Sequence, residues 1–111
     1  MSKRTDSELL ADISEAIHRI QQYISDMTYD NFLKDKRTQD AVVRNLEIIG
    51  EAAKNLSGDI IKRYPQIPWK KLSGVRDRLI HHYFGVNLDI VWAISYQELP
   101  DIFINIQKIG R

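Results

Sequence analysis

The sequence predicts an all-α protein that folds as an antiparallel helical bundle, with two long helices and several shorter ones. Apolar residues recur at alternating steps of three and four over much of the chain, which is the period of a helix with one buried face. No stretch alternates with period two over a useful length, and the Asn-Gly and Asp-Gly pairs typical of hairpin turns are missing from the sequence. Short loops between helices favour antiparallel neighbours.

Composition indicates one soluble domain. The 111 residues, 43% of them hydrophobic and 28% charged, suit a single domain over residues 1–111 and exclude a disordered or fibrous chain. The absence of cysteine excludes disulfides and thiolate metal sites, and is consistent with a reducing compartment. No apolar run approaches the roughly 18 residues that a membrane span requires. We therefore expect a cytoplasmic protein without a membrane partner.

The first long helix is predicted to begin at Thr5. Thr5 followed by Glu8 has the form of a capping box, in which each side chain bonds the other residue's backbone amide. His18 falls on the polar side of this helix and is expected at the surface. Phe32 and Leu33, in the break that follows, are expected to pack back onto the core. The buried stripe of the helix is expected to contain Leu9, Leu10, Ile13, Ala16, Ile17, Ile20, Tyr23, Ile24 and Met27.

A second long helix is predicted from about Lys36 to a stop at Ser57-Gly58. Gly50 lies in the middle of this helix, where a glycine costs about 1 kcal/mol relative to alanine. We therefore expect a neighbouring helix to approach closely at Gly50. The buried stripe is expected to contain Val42, Leu46, Ile49, Ala53 and Leu56.

The second half of the chain is predicted to contain shorter helices. Pro65 and Pro68 interrupt the helical pattern, and Pro68 suits the first position of a helix that runs on from Trp69. Asn87 can cap the helix that follows. Pro100 then begins or kinks a last helix.

Basic residues concentrate in one part of the chain. Residues 60–88 contain six basic residues and a single acid, Asp77, whereas the rest of the chain is mildly acidic. This distribution is typical of a surface that binds a polyanion, and a solvated lysine-rich face is the alternative. The six basic residues are Lys62, Arg63, Lys70, Lys71, Arg76 and Arg78.

The side chains suited to chemistry lie together in residues 74–85. On a helix, at about 100° per residue, Arg76 and Tyr83 share a face. Asp77 lies beside His81, so that it could orient the imidazole. The same geometry places His81 about 140° around the helix from Arg76. Either the helix loosens near His81 or a second copy of the chain completes the site.

The spacing of Arg76, His81 and Tyr83 resembles the Arg-x4-His-x-Tyr signature of the HepT-like toxins in the HEPN superfamily. The resemblance implies a homodimer of α-helical subunits with the active site in the dimer cleft. It also implies a metal-independent endoribonuclease that acts as the toxin of a toxin-antitoxin system. Further segments similar to that family, which extend the resemblance over nearly the whole chain, are residues 45–54, Pro68-Trp69 and residues 88–92.

The resemblance also implies a role for each residue of the motif. Arg76 and His81 are the catalytic pair, and Asp77 occupies the polar position that follows the arginine. Tyr83 is the residue onto which a minimal nucleotidyltransferase antitoxin of the MntA type transfers AMP from ATP, which silences the toxin. No metal and no cofactor of the toxin itself are implied. Candidate RNA contacts nearby are Arg78, His82, Lys70 and Lys71.

These residue types suit RNA cleavage on chemical grounds alone. RNA supplies its own nucleophile in the 2′-hydroxyl, so cleavage needs a proton acceptor, a proton donor for the leaving 5′-oxygen and a cation at the phosphate. Histidine titrates near neutrality, and arginine binds phosphate oxygens bidentately. The expected products are a 2′,3′-cyclic phosphate and a 5′-hydroxyl. AMP on Tyr83 would add negative charge and bulk where RNA phosphates bind.

Two other functions remain open on the sequence. A non-catalytic HEPN module could bind nucleotide or dock a nucleotidyltransferase, with the motif as its binding patch. A helical dimer with a purely structural role is the simplest alternative. The intact pair of Arg76 and His81 favours the ribonuclease, since a docking module has no need of both.

Overall fold

The computed structural model describes residues 4–80 and 85–109. In these ranges the chain forms helices and no strand, which confirms the all-α class, and the extended backbone pairs only in an isolated bridge between Ile80 and Val86. None of the described helices is both long enough and apolar enough to span a membrane. The elements are α1 (Asp6–Ile24), α2 (Tyr29–Leu33), α3 (Lys36–Lys54), α4 (Gly58–Arg63), α5 (Trp69–Ser73), α6 (Val75–Leu79), α7 (Leu88–Ala93), a π-helical turn (Ile94–Glu98) and α8 (Leu99–Gln107).

α1 and α3 form an antiparallel pair that builds much of the core. Asp6, at the start of α1, accepts hydrogen bonds from the backbone amide (2.9 Å) and the hydroxyl (2.6 Å) of Ser57, which lies just beyond the end of α3. The start of one long helix therefore lies beside the end of the other. Side chains of this pair that expose no surface are Ile13, Ile17, Ile20, Val42, Leu46 and Ile49.

Two capping boxes set the bounds of α1. Thr5 caps the helix as predicted, because its hydroxyl accepts from the Glu8 amide at 3.1 Å and the Glu8 carboxylate accepts from the Thr5 amide at 2.9 Å. α1 ends at Ile24 because Thr28 forms a second capping box with Asn31 and begins α2. The predicted helix therefore ran about one turn too far.

Two residues predicted to be buried are exposed. Tyr23 on α1 exposes 40% of its surface and Leu33 on α2 exposes 42%. Phe32 is buried as predicted and packs against Trp92, with ring centroids 5.2 Å apart. Consecutive side chains on a helix point in different directions, and in α2 the side chain that faces the core is Phe32.

α3 ends at Lys54, earlier than the predicted stop at Ser57-Gly58. Ser57 begins α4 instead, since its hydroxyl accepts from the Ile60 amide. A serine followed by a glycine suits a helix start as well as a helix end, and tertiary structure selects between them. Every residue of the predicted buried stripe is buried, although Leu56 lies just beyond the end of α3.

The helix predicted from Pro68 through the motif is divided into α5 and α6. Gly74 separates them, and its amide closes α5 by donating to the Lys70 carbonyl at 3.0 Å. Beyond the motif, Asn87 caps α7 as predicted, because its side-chain oxygen accepts from the Ile90 amide at 3.2 Å. α7 continues through the π-helical turn into α8, and Pro100 lies in the first turn of α8.

Candidate functional site

The motif helix α6 ends before His81, the first histidine of the motif. Leu79 is its last residue, and Ile80 is extended, with φ −88° and ψ 127°. The helix therefore loosens near His81, which was one of the two expectations, and the separation of about 140° on an unbroken helix does not apply. His81, His82 and Tyr83 lie outside the described residues, so their roles stay predictions.

The two ends of the segment between α6 and α7 are held together. Ile80 pairs with Val86 in the antiparallel bridge, and the Asn87 amide donates to the Leu79 carbonyl at 2.6 Å. Gly85 has a φ of 87°, in the left-handed region that favours glycine. The chain therefore leaves α6 and enters α7 at neighbouring points.

Arg76 lines a polar cleft between α6 and α3, with a volume of about 210 Å³, which we call the Arg76 cleft. Arg76 and Asp77 are both exposed, and neither takes part in an ion pair within residues 4–80 and 85–109. The guanidinium is therefore open to an anionic ligand. The cleft is also lined by Arg44, Glu47, Gly50, Glu51, Lys54 and Ser73.

Gly50 sets how closely α6 approaches α3. A β-carbon at Gly50 would lie 2.9 Å from the Val75 Cγ1 and 3.3 Å from the Leu72 carbonyl oxygen. The predicted close approach at Gly50 is thereby confirmed, and the approaching segment is the α5–α6 junction. Because Arg76 follows Val75, this contact also places Arg76 over the face of α3.

Arg78 has a partner within the fold. Its guanidinium donates to both carboxylate oxygens of Glu98, at 3.0 and 2.8 Å, and joins α6 to the π-helical turn. The hydrogen bond from Arg78 holds the pKa of Glu98 below its usual value, against the opposing effect of burial. RNA would compete with Glu98 for Arg78, and the RNA contact stays a prediction.

The two lysines predicted to contact RNA are exposed on α5, immediately before the motif helix. Lys71 lies near the Arg78–Glu98 pair, since its charge also lowers the pKa of Glu98. Lys70 lies in the same short helix. The structure thus places both lysines beside α6, and their contact with RNA stays a prediction.

The sequence patterns did not draw attention to the charged face of α3 that borders the Arg76 cleft. The charged residues of this face are Arg44, Glu47, Glu51 and Lys54. They are spaced by three, four and three positions and so follow one face of the helix. The spacing is visible in the sequence, but it is also typical of an ordinary solvated face. In the part of the chain that the structure describes, no group of three or more His, Cys, Asp or Glu side chains could hold a metal ion.

The fold and the site define a small helical protein with an arginine-lined polar cleft beside its motif helix. A family model described as ribonuclease HepT-like matches residues 13–109. The chain therefore belongs to the ribonuclease HepT-like family of the HEPN superfamily, which confirms the resemblance inferred from the motif.

Relatives match the chain over nearly its full length, and their names agree with a ribonuclease family. A protein of Methanocaldococcus jannaschii named as a candidate RNase is 50% identical over 109 residues, which are 98% of this chain and 90% of the relative. A protein of Thermococcus cleftensis named probable ribonuclease HepT is 41% identical over 98% of this chain and 99% of the relative. A second candidate RNase of M. jannaschii is 44% identical over 98% of this chain and 90% of the relative. No solved structure is a significant match.

Proposed function

We propose that the protein is a metal-independent endoribonuclease and the toxin of a toxin-antitoxin pair, acting in the cytoplasm. The observation that carries this proposal is the environment of Arg76, which is exposed at a polar cleft with no ion pair among the described residues. Arg78, two residues away, is held by a carboxylate, so the two arginines of α6 have different environments. Membership of a ribonuclease family supports the class of reaction.

In the proposed reaction, Arg76 binds the non-bridging oxygens of the scissile phosphate and stabilises the charge that develops there. The 2′-oxygen attacks phosphorus as its proton passes to a base, and the bond to the 5′-oxygen breaks as that oxygen takes up a proton. His81 takes part in these proton transfers, with Asp77 as its orienting partner. In a homodimer, the two copies of His81 would serve as base and acid in one cleft.

Tyr83 is the proposed control point. A cognate nucleotidyltransferase antitoxin would activate the phenol, whose oxygen attacks the α-phosphate of ATP, and pyrophosphate would leave. The resulting AMP phosphodiester adds negative charge and bulk to the motif and would compete with RNA phosphates for the site. In this proposal ATP is the substrate of the antitoxin and is no cofactor of the toxin.

The enzyme proposal is tested by incubating the purified protein with total RNA in EDTA. Wild type should cleave and His81→Ala should not. His18→Ala is the matched control, because His18 is exposed on α1 and stacks on Phe103, within another helix pair. Cleavage by His81→Ala at the wild-type rate would refute the assigned chemistry, and an inactive wild type would favour the docking alternative.

The control proposal is tested with a cognate nucleotidyltransferase and ATP labelled in its α-phosphate. We expect label on wild type and none on Tyr83→Phe, together with loss of RNA cleavage by the labelled protein. Tyr96→Phe is the control, since Tyr96 is the most exposed tyrosine among the described residues, at 58%. Label that persists in Tyr83→Phe would assign the modification elsewhere.

The proposed homodimer is tested by light scattering. The chain has a mass of 13.0 kDa, and a dimer should scatter as twice that mass. A protein that cleaves RNA at the mass of a single chain would remove the need for a second copy in the site.

A further inference from the structure

Four charged residues follow one face of α3 beside Arg76. Arg44, Glu47, Glu51 and Lys54 are spaced by three, four and three positions, and all of them line the Arg76 cleft. We call this set the α3 stripe. Its two cations are at its ends, ten residues or about 15 Å apart along the helix axis, and its two carboxylates lie between them.

The α3 stripe also borders a second cleft. This cleft has a volume of about 280 Å³, shares Arg44 and Glu47 with the Arg76 cleft, and extends to Val86 and Leu88. Arg76 precedes the segment that joins α6 to α7, and Val86 follows it. Arg44 therefore lies where the Arg76 cleft meets the cleft that contains Val86.

The cations of the stripe make no ion pair with any described residue. Within residues 4–80 and 85–109, the ion pairs involve the arginines Arg4, Arg19 and Arg78. Arg44, Lys54 and Arg76 are absent from these pairs although carboxylates of the stripe lie in the same cleft. Three cations that line one cleft, without ion-pair partners among the described residues, are suited to bind phosphates of a nucleic acid backbone.

We propose that Arg44 and Lys54 are phosphate-binding residues of the ribonuclease site, and that the RNA backbone follows the α3 stripe with its scissile phosphate at Arg76. Glu47 and Glu51, between the cations, accept hydrogen bonds from ribose 2′-hydroxyls, which DNA lacks. The stripe thus determines both the path of the strand and the preference for RNA. This inference rests on the proposed ribonuclease function.

Binding of a fluorescent single-stranded RNA, measured by anisotropy over a series of KCl concentrations, tests the inference. The His81→Ala background separates binding from cleavage. Arg44→Gln and Lys54→Gln should each weaken binding on the order of fivefold, equally for different RNA sequences, and each should lower the salt slope by about 0.7. Lys108→Gln, the same change of charge just past α8, should alter neither quantity. Thermal unfolding checks that each variant is folded.

Two further comparisons separate this inference from the proposed function. RNA binding that is unchanged in both Arg44→Gln and Lys54→Gln would overturn the inference, whether or not wild type cleaves RNA. Weakened binding by these variants, together with a wild type that does not cleave, would support the stripe and reject the ribonuclease. Finally, Glu47→Gln with Glu51→Gln should reduce the preference for RNA over DNA of the same sequence, and an unchanged preference would remove the carboxylates from the proposal.

Discussion

Gly50 of α3 and Val75 of α6 approach so closely that a β-carbon on the glycine would lie 2.9 Å from the Val75 Cγ1. Val75 is almost fully buried, and the next residue along the chain is Arg76 at the edge of the polar cleft. The backbone of one core helix therefore sets the height of the arginine above the charged face of that same helix. A glycine in the middle of a helix lowers local helix stability, and here it permits the contact that builds the site.

Gly50→Ala should lower the stability of the protein and reduce RNA cleavage. The gain in helix propensity of about 1 kcal/mol is outweighed by an overpacking cost of about 1–3 kcal/mol, so the net loss should be about 1 kcal/mol. Urea unfolding measures the loss. Gly58→Ala is the control, since no atom in the described part of the chain lies within 4 Å of a β-carbon there, and it should be neutral or stabilising. Equal effects at Gly50 and Gly58 would show that the contact with Val75 does not limit packing.

Arg78 and Glu98 should make stability depend on pH in the acid range. The pKa of Glu98 is lowered in the folded protein, chiefly by the hydrogen bond from Arg78. The pair therefore stabilises the fold above the unfolded pKa of about 4.3, and this contribution is lost as the pH falls through the lowered folded value. Glu98→Gln should cost about 1 kcal/mol at pH 7 and progressively less below about pH 4.

Urea unfolding from pH 3 to 7 measures this dependence. Glu15→Gln is the control, because the Arg19–Glu15 pair has side chains that are 51% and 61% exposed and should contribute less than the half-buried pair. A difference between wild type and Glu98→Gln that stays constant over this range of pH would contradict the assigned cause.

Gly85→Ala should strain the backbone at position 85, shortly before α7 begins. The φ of 87° costs an L-residue about 1–2 kcal/mol, and no atom of residues 4–80 and 85–109 lies within 4 Å of the new β-carbon, so the expected cost is one of backbone conformation. Gly85→Asn should cost less, because asparagine tolerates this region. Hydrogen exchange at the Asn87 amide, which donates to Leu79, should speed up in the order wild type, Asn variant, Ala variant. Identical exchange in the two variants would indicate that the chain avoids the strain by moving.

Arg76→Ala should lose RNA cleavage by about 100-fold or more while its unfolding free energy stays within about 0.5 kcal/mol of wild type. The reason is that Arg76 is exposed and makes no ion pair with the described residues. Arg78→Ala is the matched comparison on the same helix, and it should lower stability because it leaves Glu98 without its partner. Cleavage rates and urea midpoints measured on both variants should separate the two arginines. A large loss of stability in Arg76→Ala would point to a structural role instead.

Local patterns were sufficient to predict much of the bundle. The period of the apolar residues predicted α1 and α3, because a helix that buries one face has apolar side chains at steps of three and four residues. Thr5 and Asn87 predicted helix starts, since a capping side chain bonds an amide only three residues away. The ends of α1 and α3 were predicted a few residues too far along the chain. Thr28 and Ser57 instead begin new helices, whose existence depends on packing.

By itself, the sequence determined the all-α class, the family and the residues of the motif, all of which depend on residue types at short spacing. Only the tertiary structure decided that α6 ends at Leu79, since the pairing of Ile80 with Val86 takes the place of a further helical turn. It also decided that Arg78 bonds Glu98, and that Arg76 faces the charged side of α3. The contacts of Arg78 and Arg76 join residues 20 or more positions apart, and they depend on how the helices pack together, which no local pattern of residues specifies.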